Sequence, residues 1–349
     1  MELQDVKKIL IVNLGGIGDI LLSLPAVRAL RVSYPGARID IMAVERACEL
    51  ARISGAFDGV FVYARRIGKD LPLILRLRRH RYDLIVNMRT MVSWPGALKV
   101  FLLLAVIGAR KSAGRDTDGR GFFFDIKIPE TGAGDAYEAE YDIDTVRALG
   151  ASVVDRTVRF ESDDASAAAV ARLLADRGIA GDIRLIGIHA GGVLSRRWGL
   201  GRFAEAMALI ARSMPCVFVL TGGRDERDYV DALVRIHGVK AVNLAGELTL
   251  RQLGALIRRC ALYISNDTGP MHIAAALRTP LVAIFGPGHL TRYDPRRISD
   301  RAVVLKKETA CAPCNRPRCP SLECLKSISP DEVAGAALRL LRGSYDTVA

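Results

Sequence analysis

A lone carboxylate, Asp19, sits in the glycine-rich stretch from Asn13 to Leu22 (NLGGIGDILL), directly after the apolar run KKILIV. Two readings of it stand. Asp19 is a cap near a helix N-terminus, or it is a general base that takes a proton from a substrate hydroxyl. Dinucleotide binding is disfavoured, because counting from Gly16 the third position is Gly18 but the sixth is Leu21. No Gly-Lys-Ser/Thr follows, so the phosphate loop of nucleoside triphosphatases is excluded too. What remains is a turn in which Gly16 and Gly18 let a substrate approach the backbone.

Phosphate chemistry belongs instead to SNDTGPMHIAAAL, residues 265–277. A strand ends, Asp267-Thr268-Gly269 turn, and Pro270 occupies an early helical position that tolerates proline. Such a turn aims backbone N–H groups and a helix dipole at an anion. Thr268 adds a hydroxyl and His272 lies one turn further on; the competing reading is a capped helix with a core histidine.

Three weaker features accompany it. In IHAGGVLSRRW, residues 188–198, a glycine pair after a strand precedes Arg196-Arg197-Trp198, where a guanidinium suits a diphosphate. In LTGGRDE, Asp225 and Glu226 follow a strand end and suit ribose hydroxyls, or else face solvent on a surface helix. Cys311, Cys314, Cys319 and Cys324 share one short loop, either as a tetrahedral zinc site or as reduced thiols. The five histidines form no cluster along the chain, and no nucleophile triad is visible.

The elements that must position these groups alternate. KKILIVNL, ARIDIMAV, GVFVYA and YDLIVNM read as strands with helices between them, the first helix being DILLSLPAVRALRVSYPG, stopped by Pro35-Gly36. RDTDGRGFFFDIKIPETGAGDA reads as loop. A second run starts near Arg184 and carries strands IRLIGIH, CVFVL, AVNLAG, LYISN and PLVAIF, ending in the helical PDEVAGAALRLLR. The expected class is α/β, two parallel sheets covered on both faces, joined by a loop-rich segment near 155–182, with ligands beyond the carboxyl ends of the strands.

With 349 residues, half of them hydrophobic, the chain suits two domains rather than one core. The tempting apolar segment from Val100 to Ala109 is far short of the roughly 20 residues that span a bilayer, and reads as a buried or interfacial helix. No secretion signal is evident, so a cytoplasmic protein is expected. The net charge of +12 calls for an anionic partner. Lacking any aromatic-interleaved basic motif, nucleic acid is disfavoured against a membrane face or phosphorylated glycolipid. The basic run from Arg65 to Arg81 is either such a surface or a solvated helix face.

The stretches ILIVNLGGIGDILLSLPAVRALRVSYPGARID, IHAGGVLSRRWGLGRFAEAM, LTGG and SNDTGPMHIAAALRTPLVAIFGP together resemble the ADP-heptose:lipopolysaccharide heptosyltransferase family, glycosyltransferase family 9. The resemblance implies a GT-B fold of two Rossmann-like domains facing a central cleft. Residues 1–170 would bind the acceptor, 171–329 the nucleotide sugar, and the helix in 330–349 would pack back toward the first domain. It implies an inverting transfer of heptose from ADP-heptose to a lipopolysaccharide inner-core acceptor, with no obligatory cofactor and Asp19 as base. Thr268, Gly269, the backbone of Met271, and His272 match the diphosphate segment, with Arg196 where the family often has lysine, and Gly199 where proline is usual. Asp225 or Glu226 would contact ribose. Gly16, Gly18, Arg65, Arg66, Arg89, Arg115 and Arg120 are the acceptor-side candidates, facing an anionic glycolipid at the cytoplasmic face of the inner membrane. Related substrates stay open: another nucleotide sugar, or a capsule, O-antigen or protein acceptor. A silent nucleotide-sugar-binding protein is the rival from another class.

Overall fold

The computed structural model describes residues 6–343, apart from 133, 180, 237, 238 and 315. They form two compact units divided between Arg159 and Phe160. In the first unit, β1 (Lys8–Asn13), α1 (Ile17–Ser33), β2 (Arg38–Val44), α2 (Glu45–Ile53), β3 (Gly59–Tyr63), α3 (Ile67–Arg79) and β4 (Tyr82–Asn87) alternate as the apolar runs predict. Then come α4 (Trp94–Ile107), β5 (Ala109–Thr117), β6 (Ile126–Glu130) and α5 (Glu138–Ala148). The sheet is parallel throughout, in the order β3-β2-β1-β4-β5-β6. β1 and β2 are buried in all but their first residues, as a sheet covered on both faces requires.

The second unit opens with α6 (Asp164–Asp176), then β7 (Leu185–His189), α7 (Leu200–Ser213), β8 (Val217–Thr221), α8 (Arg227–Ile236), β9 (Ala241–Asn243) and α9 (Leu250–Arg259). It continues through β10 (Leu262–Asn266), α10 (Gly269–Ala276), β11 (Leu281–Phe285), α11 (Leu290–Tyr293), β12 (Ala302–Lys306), α12 (Glu323–Lys326) and α13 (Pro330–Arg342). Its parallel sheet runs β12-β11-β10-β7-β8-β9. Read from β9, this is the same order of first, second and third neighbours as in the first unit, the Rossmann winding. The order reverses between β1 and β4 in one sheet and between β7 and β10 in the other.

The structure departs from the sequence reading at three places. The domain boundary lies before the expected 170/171, because α6 buries Val170 and Leu174 in the apolar cluster shared with Leu256 of α9. The final helix buries Val333, Ala336, Ala337 and Leu340 in the core of the second unit. Its start is held there by the Trp198 indole, which donates to the Ile328 carbonyl at 3.0 Å. β12 adds a strand after the one expected to be last. The helix after LTGG, which the sequence places from about Arg224 to His237, is α8, Arg227–Ile236, and His237 lies outside the described residues.

The third departure concerns the stretch read as loop. It contains all of β6 and the end of β5, whose interior residue Arg115 is fully buried instead of lining an exposed acceptor face. The Arg115 guanidinium donates to Glu138 at 2.8 Å, pairs with Asp142, and lies 3.5 Å from Glu130 and over the Tyr141 ring. A strand that buries an ion cluster has no apolar run to announce it. Arg115 faces three carboxylates here, and burial pushes Asp142 up to about 7 despite the pull of Arg115 and the weaker pull of Arg89.

That shift makes stability depend on pH. Asp142 titrates above the ordinary carboxylate value of roughly 4, so folding takes up a proton between about pH 4 and 7. Stability therefore falls as pH rises through that window. Urea unfolding of the wild type should lose on the order of 2 kcal/mol between pH 5 and pH 8. In Asp142→Asn, which has no proton to shed, most of that difference should vanish.

Candidate active site

Both candidate loops lie where a sheet reverses its strand order. At the first reversal, β1 ends at Asn13 and α1 begins at Ile17 with Gly16 as its N-cap. Asp19 is the third helical residue, and one carboxylate oxygen accepts from the Gly16 amide at 2.7 Å. The other oxygen pairs with Arg89, which follows β4 across the reversal point. The carboxylate that caps α1 is thus the same group that pairs with Arg89. Asn13 fixes the turn from below, accepting from the Gly15 amide at 3.1 Å and donating to the Asp19 carbonyl at 3.4 Å.

Unlike Gly16, Gly15 has no room for a side chain. A Cβ there would lie 2.5 Å from the Asp19 Cβ. Gly18, expected to make room for an acceptor, is buried in α1, whereas Gly16 borders Asp19 and the Arg46 side chain. Arg46, absent from the sequence-derived candidates, and Arg65, whose guanidinium donates to the Leu14 carbonyl at 3.1 Å, place cations around this loop. Arg66 is exposed beside them in sequence. Arg120 is tied to the Met91 carbonyl and to Asp118. Arg115 is not part of the surface at all.

At the second reversal the ends of β7 and β10 meet. Asn266 donates to the Ala190 and Gly191 carbonyls at 2.8 and 3.0 Å and accepts from the Trp198 amide at 3.3 Å, joining the two loops. Gly192 adopts φ +111°, and a Cβ there would lie 2.5 Å from the Thr268 methyl. Both the conformation and the contact demand glycine. Thr268 is the N-cap of α10, followed by Gly269 and Pro270. The Met271 amide donates to the Thr268 carbonyl at 3.1 Å, so that predicted donor already closes a turn.

Charge accumulates around this N-terminus. Arg196 forms a 2.8 Å ion pair with the buried Asp267. His289 lies near Arg292, Arg196 and Lys306; burial and then these cations hold its imidazole below the ordinary histidine value. His289, Arg292 and Lys306 escaped sequence analysis because they come from α11, its N-cap and the end of β12, far from any motif. His272 is buried, its ring edge-on to Tyr293 at 6.0 Å between centroids.

The two acids after LTGG separate. Asp225 is exposed. Glu226 accepts from the Gly192 and Gly223 amides at 2.6 and 2.9 Å and lies 3.3 Å from Arg197. Burial opposes its charge, but these loop amides outweigh it and hold the carboxyl below its ordinary value. Glu226 therefore shapes the glycine turn, and Asp225 is the acid left facing outward. Arg197, the second arginine of the same stretch, braces the turn by donating to the Gly192 carbonyl at 2.8 Å and stacking on Tyr229.

The four clustered cysteines do not close a metal site. Among the described residues no group of His, Cys, Asp and Glu is placed to hold one. Cys324 is buried while Cys311 is exposed, and the Cys319 sulfur is engaged by the Ser321 hydroxyl and the Leu322 amide.

Two Rossmann-like units, each with its charged loop at the reversal point of the sheet, make up the architecture of the GT-B fold class. The sequence profile of Glycosyltransferase family 9 (heptosyltransferase) matches residues 71–325, and the chain belongs to that family. It is 28% identical to lipopolysaccharide heptosyltransferase 2 of Salmonella typhimurium over 316 residues, 86% of this chain and 88% of that one. It is 29% identical to lipooligosaccharide heptosyltransferase 2 of Campylobacter jejuni, in a match spanning about half of each, 46% of this chain and 52% of that protein. Among solved structures, the E. coli ADP-heptose lps heptosyltransferase II shares the fold with a TM-score of 0.75 at 22% identity, covering 96% of this chain and 99% of that one.

Proposed function

We propose that the protein transfers a heptose from ADP-heptose to a lipopolysaccharide inner-core acceptor with inversion at the anomeric carbon. The observation that carries this reading is the Asp19 carboxylate, held by the Gly16 amide and Arg89 at the reversal point of the first sheet. Family membership supplies the reaction class, and the names of the relatives point to the substrates. Asp19 removes the proton from an acceptor hydroxyl as its oxygen bonds to the anomeric carbon. The bond from that carbon to the diphosphate oxygen breaks, and the electron pair leaves with ADP. In the second unit, the α10 N-terminus, Arg196, His289 and Lys306 meet the charge that develops on the leaving group. Asp225 takes a ribose hydroxyl. Arg46, Arg65 and Arg89 face the phosphates and carboxylates of an anionic glycolipid, and the enzyme works peripherally at the cytoplasmic face of the inner membrane.

The test is nucleotide diphosphate release with lipopolysaccharide acceptors truncated at successive core sugars. ADP-heptose should support release that requires acceptor, and UDP- and GDP-sugars should not. Equal or faster release from another nucleotide sugar would overturn the donor assignment.

Donor binding should also take up a proton. His289 starts below the ordinary histidine value, and an arriving diphosphate raises it. ADP affinity should therefore increase as pH falls from about 8 to 6, through the ordinary histidine value. Calorimetry in two buffers of different ionisation enthalpy should record the uptake, and His289→Gln should abolish it.

A further inference from the structure

We infer that the outer face of α4, with the adjoining face of α3, is a docking surface for an anionic lipid bilayer. On α4, Trp94, Leu98, Leu102 and Val106 recur every four residues and are 57%, 53%, 54% and 40% exposed. The opposite face carries Ala97, Leu104 and Ile107 into the core. A surface helix of an ordinary soluble domain would place polar side chains outward. This one carries a single charge, Lys99, along its whole length of about 20 Å. Scattered exposed leucines are unremarkable, but a continuous stripe is not.

The stripe continues beyond the helix. Phe122, 51% exposed, sets its ring 6.3 Å from Trp94 and 6.0 Å from Phe101. On α3, Leu71 and Leu75 are exposed one turn apart. The Arg78 guanidinium donates to the Val106 carbonyl at 2.8 Å, tying α3 to the end of α4. No helix among the described residues is long and apolar enough to cross a membrane. An apolar face with a tryptophan at one end instead fits a helix lying in the interfacial plane.

The charge around the stripe selects the occupant. Between residues 65 and 110 the chain carries ten arginines and lysines and two acids, Asp70 and Asp83. Asp70 is buried and accepts from the Ala64 and Arg66 amides; Asp83 accepts from those of Lys7 and Lys8. Lys69, Arg76, Arg79 and Lys99 are left on the exposed rim. Lipid phosphates complement that rim, each cation near the surface adding about 1 kcal/mol of attraction. A second copy of the chain would bring two such rims together, and their repulsion disfavours it.

This surface gives physical content to the proposed membrane-facing acceptor and rests on that reading, but it fails or stands separately from sugar transfer. The full chain should be sedimented with phosphatidylcholine vesicles, with and without phosphatidylglycerol. Binding is expected only with the anionic lipid, weakening as salt rises. The double variant Leu98→Glu/Leu102→Glu, exposed at both sites and so expected to keep its unfolding temperature, should lose vesicle binding by at least roughly a hundredfold. Its turnover with a delipidated, soluble acceptor should match wild type, while turnover with a vesicle-embedded acceptor falls. Wild-type vesicle binding by the variant would overturn the inference. So would a wild type that ignores vesicles and forms a dimer that the variant cannot form. Loss of soluble-acceptor turnover in the wild type itself would count against sugar transfer and leave the vesicle result to stand alone.

Discussion

Asp19→Asn should abolish transfer while leaving the donor bound. The amide keeps one oxygen for the Gly16 N–H, which holds the start of α1, and turns an NH2 toward Arg89, whose ion pair is lost. What it cannot do is accept a proton. General-base contributions run to about 10²–10⁴ in rate, and kcat for acceptor-dependent ADP release should fall by that factor. The dissociation constant for ADP-heptose, measured by calorimetry, should change by less than about threefold, because donor contacts lie in the second unit. A folded variant with near-wild-type turnover would remove Asp19 from the mechanism. A variant that loses donor affinity instead would mean that the carboxylate serves binding.

The largest effect on stability should come from Arg115→Leu. The side chain is fully buried, and its removal leaves Glu130, Glu138 and Asp142 together without their cation. Breaking a buried ion pair on one side costs about 3–5 kcal/mol, and here three carboxylates lose the same partner. That is a large fraction of the roughly 5–15 kcal/mol that holds a typical domain. The variant should be recovered unfolded, or with a urea midpoint far below wild type. A stable Arg115→Leu with weakened acceptor binding would instead restore the sequence-based expectation of an exposed acceptor contact.

Arg115 also shows where sequence reasoning stops. Buried parallel strands announce themselves by continuous apolar runs, and β1, β2, β4, β7, β8, β10 and β11 were all legible for that reason. β5 was not legible in the same way, because its interior is paid in ion pairs rather than methyl groups. Likewise α6 was hidden by alanines, which favour helix but leave little apolar pattern. The site divides along the same line. Asp19 and Thr268 sit in glycine turns at strand ends, a local arrangement that spacing encodes. Arg46, His289 and Lys306 reach their places only because the sheet order puts distant strand ends side by side. Glu226 was noticed for its position after LTGG, and its bond to the Gly223 amide is local, but its bond to the Gly192 amide depends on β7 and β8 being neighbours. Exposure, too, is a tertiary property: Val100–Ala109 reads as apolar in sequence, yet only packing reveals which of α4's residues face outward.

One measurement bears most directly on the account: incubate the full chain with ADP-heptose and a core-truncated lipopolysaccharide, then determine both ADP yield and the anomeric configuration of the new linkage by NMR. The account predicts one ADP per heptose transferred and a configuration opposite to that of the donor. Retention of configuration, or ADP release without a glycosylated product, would contradict it.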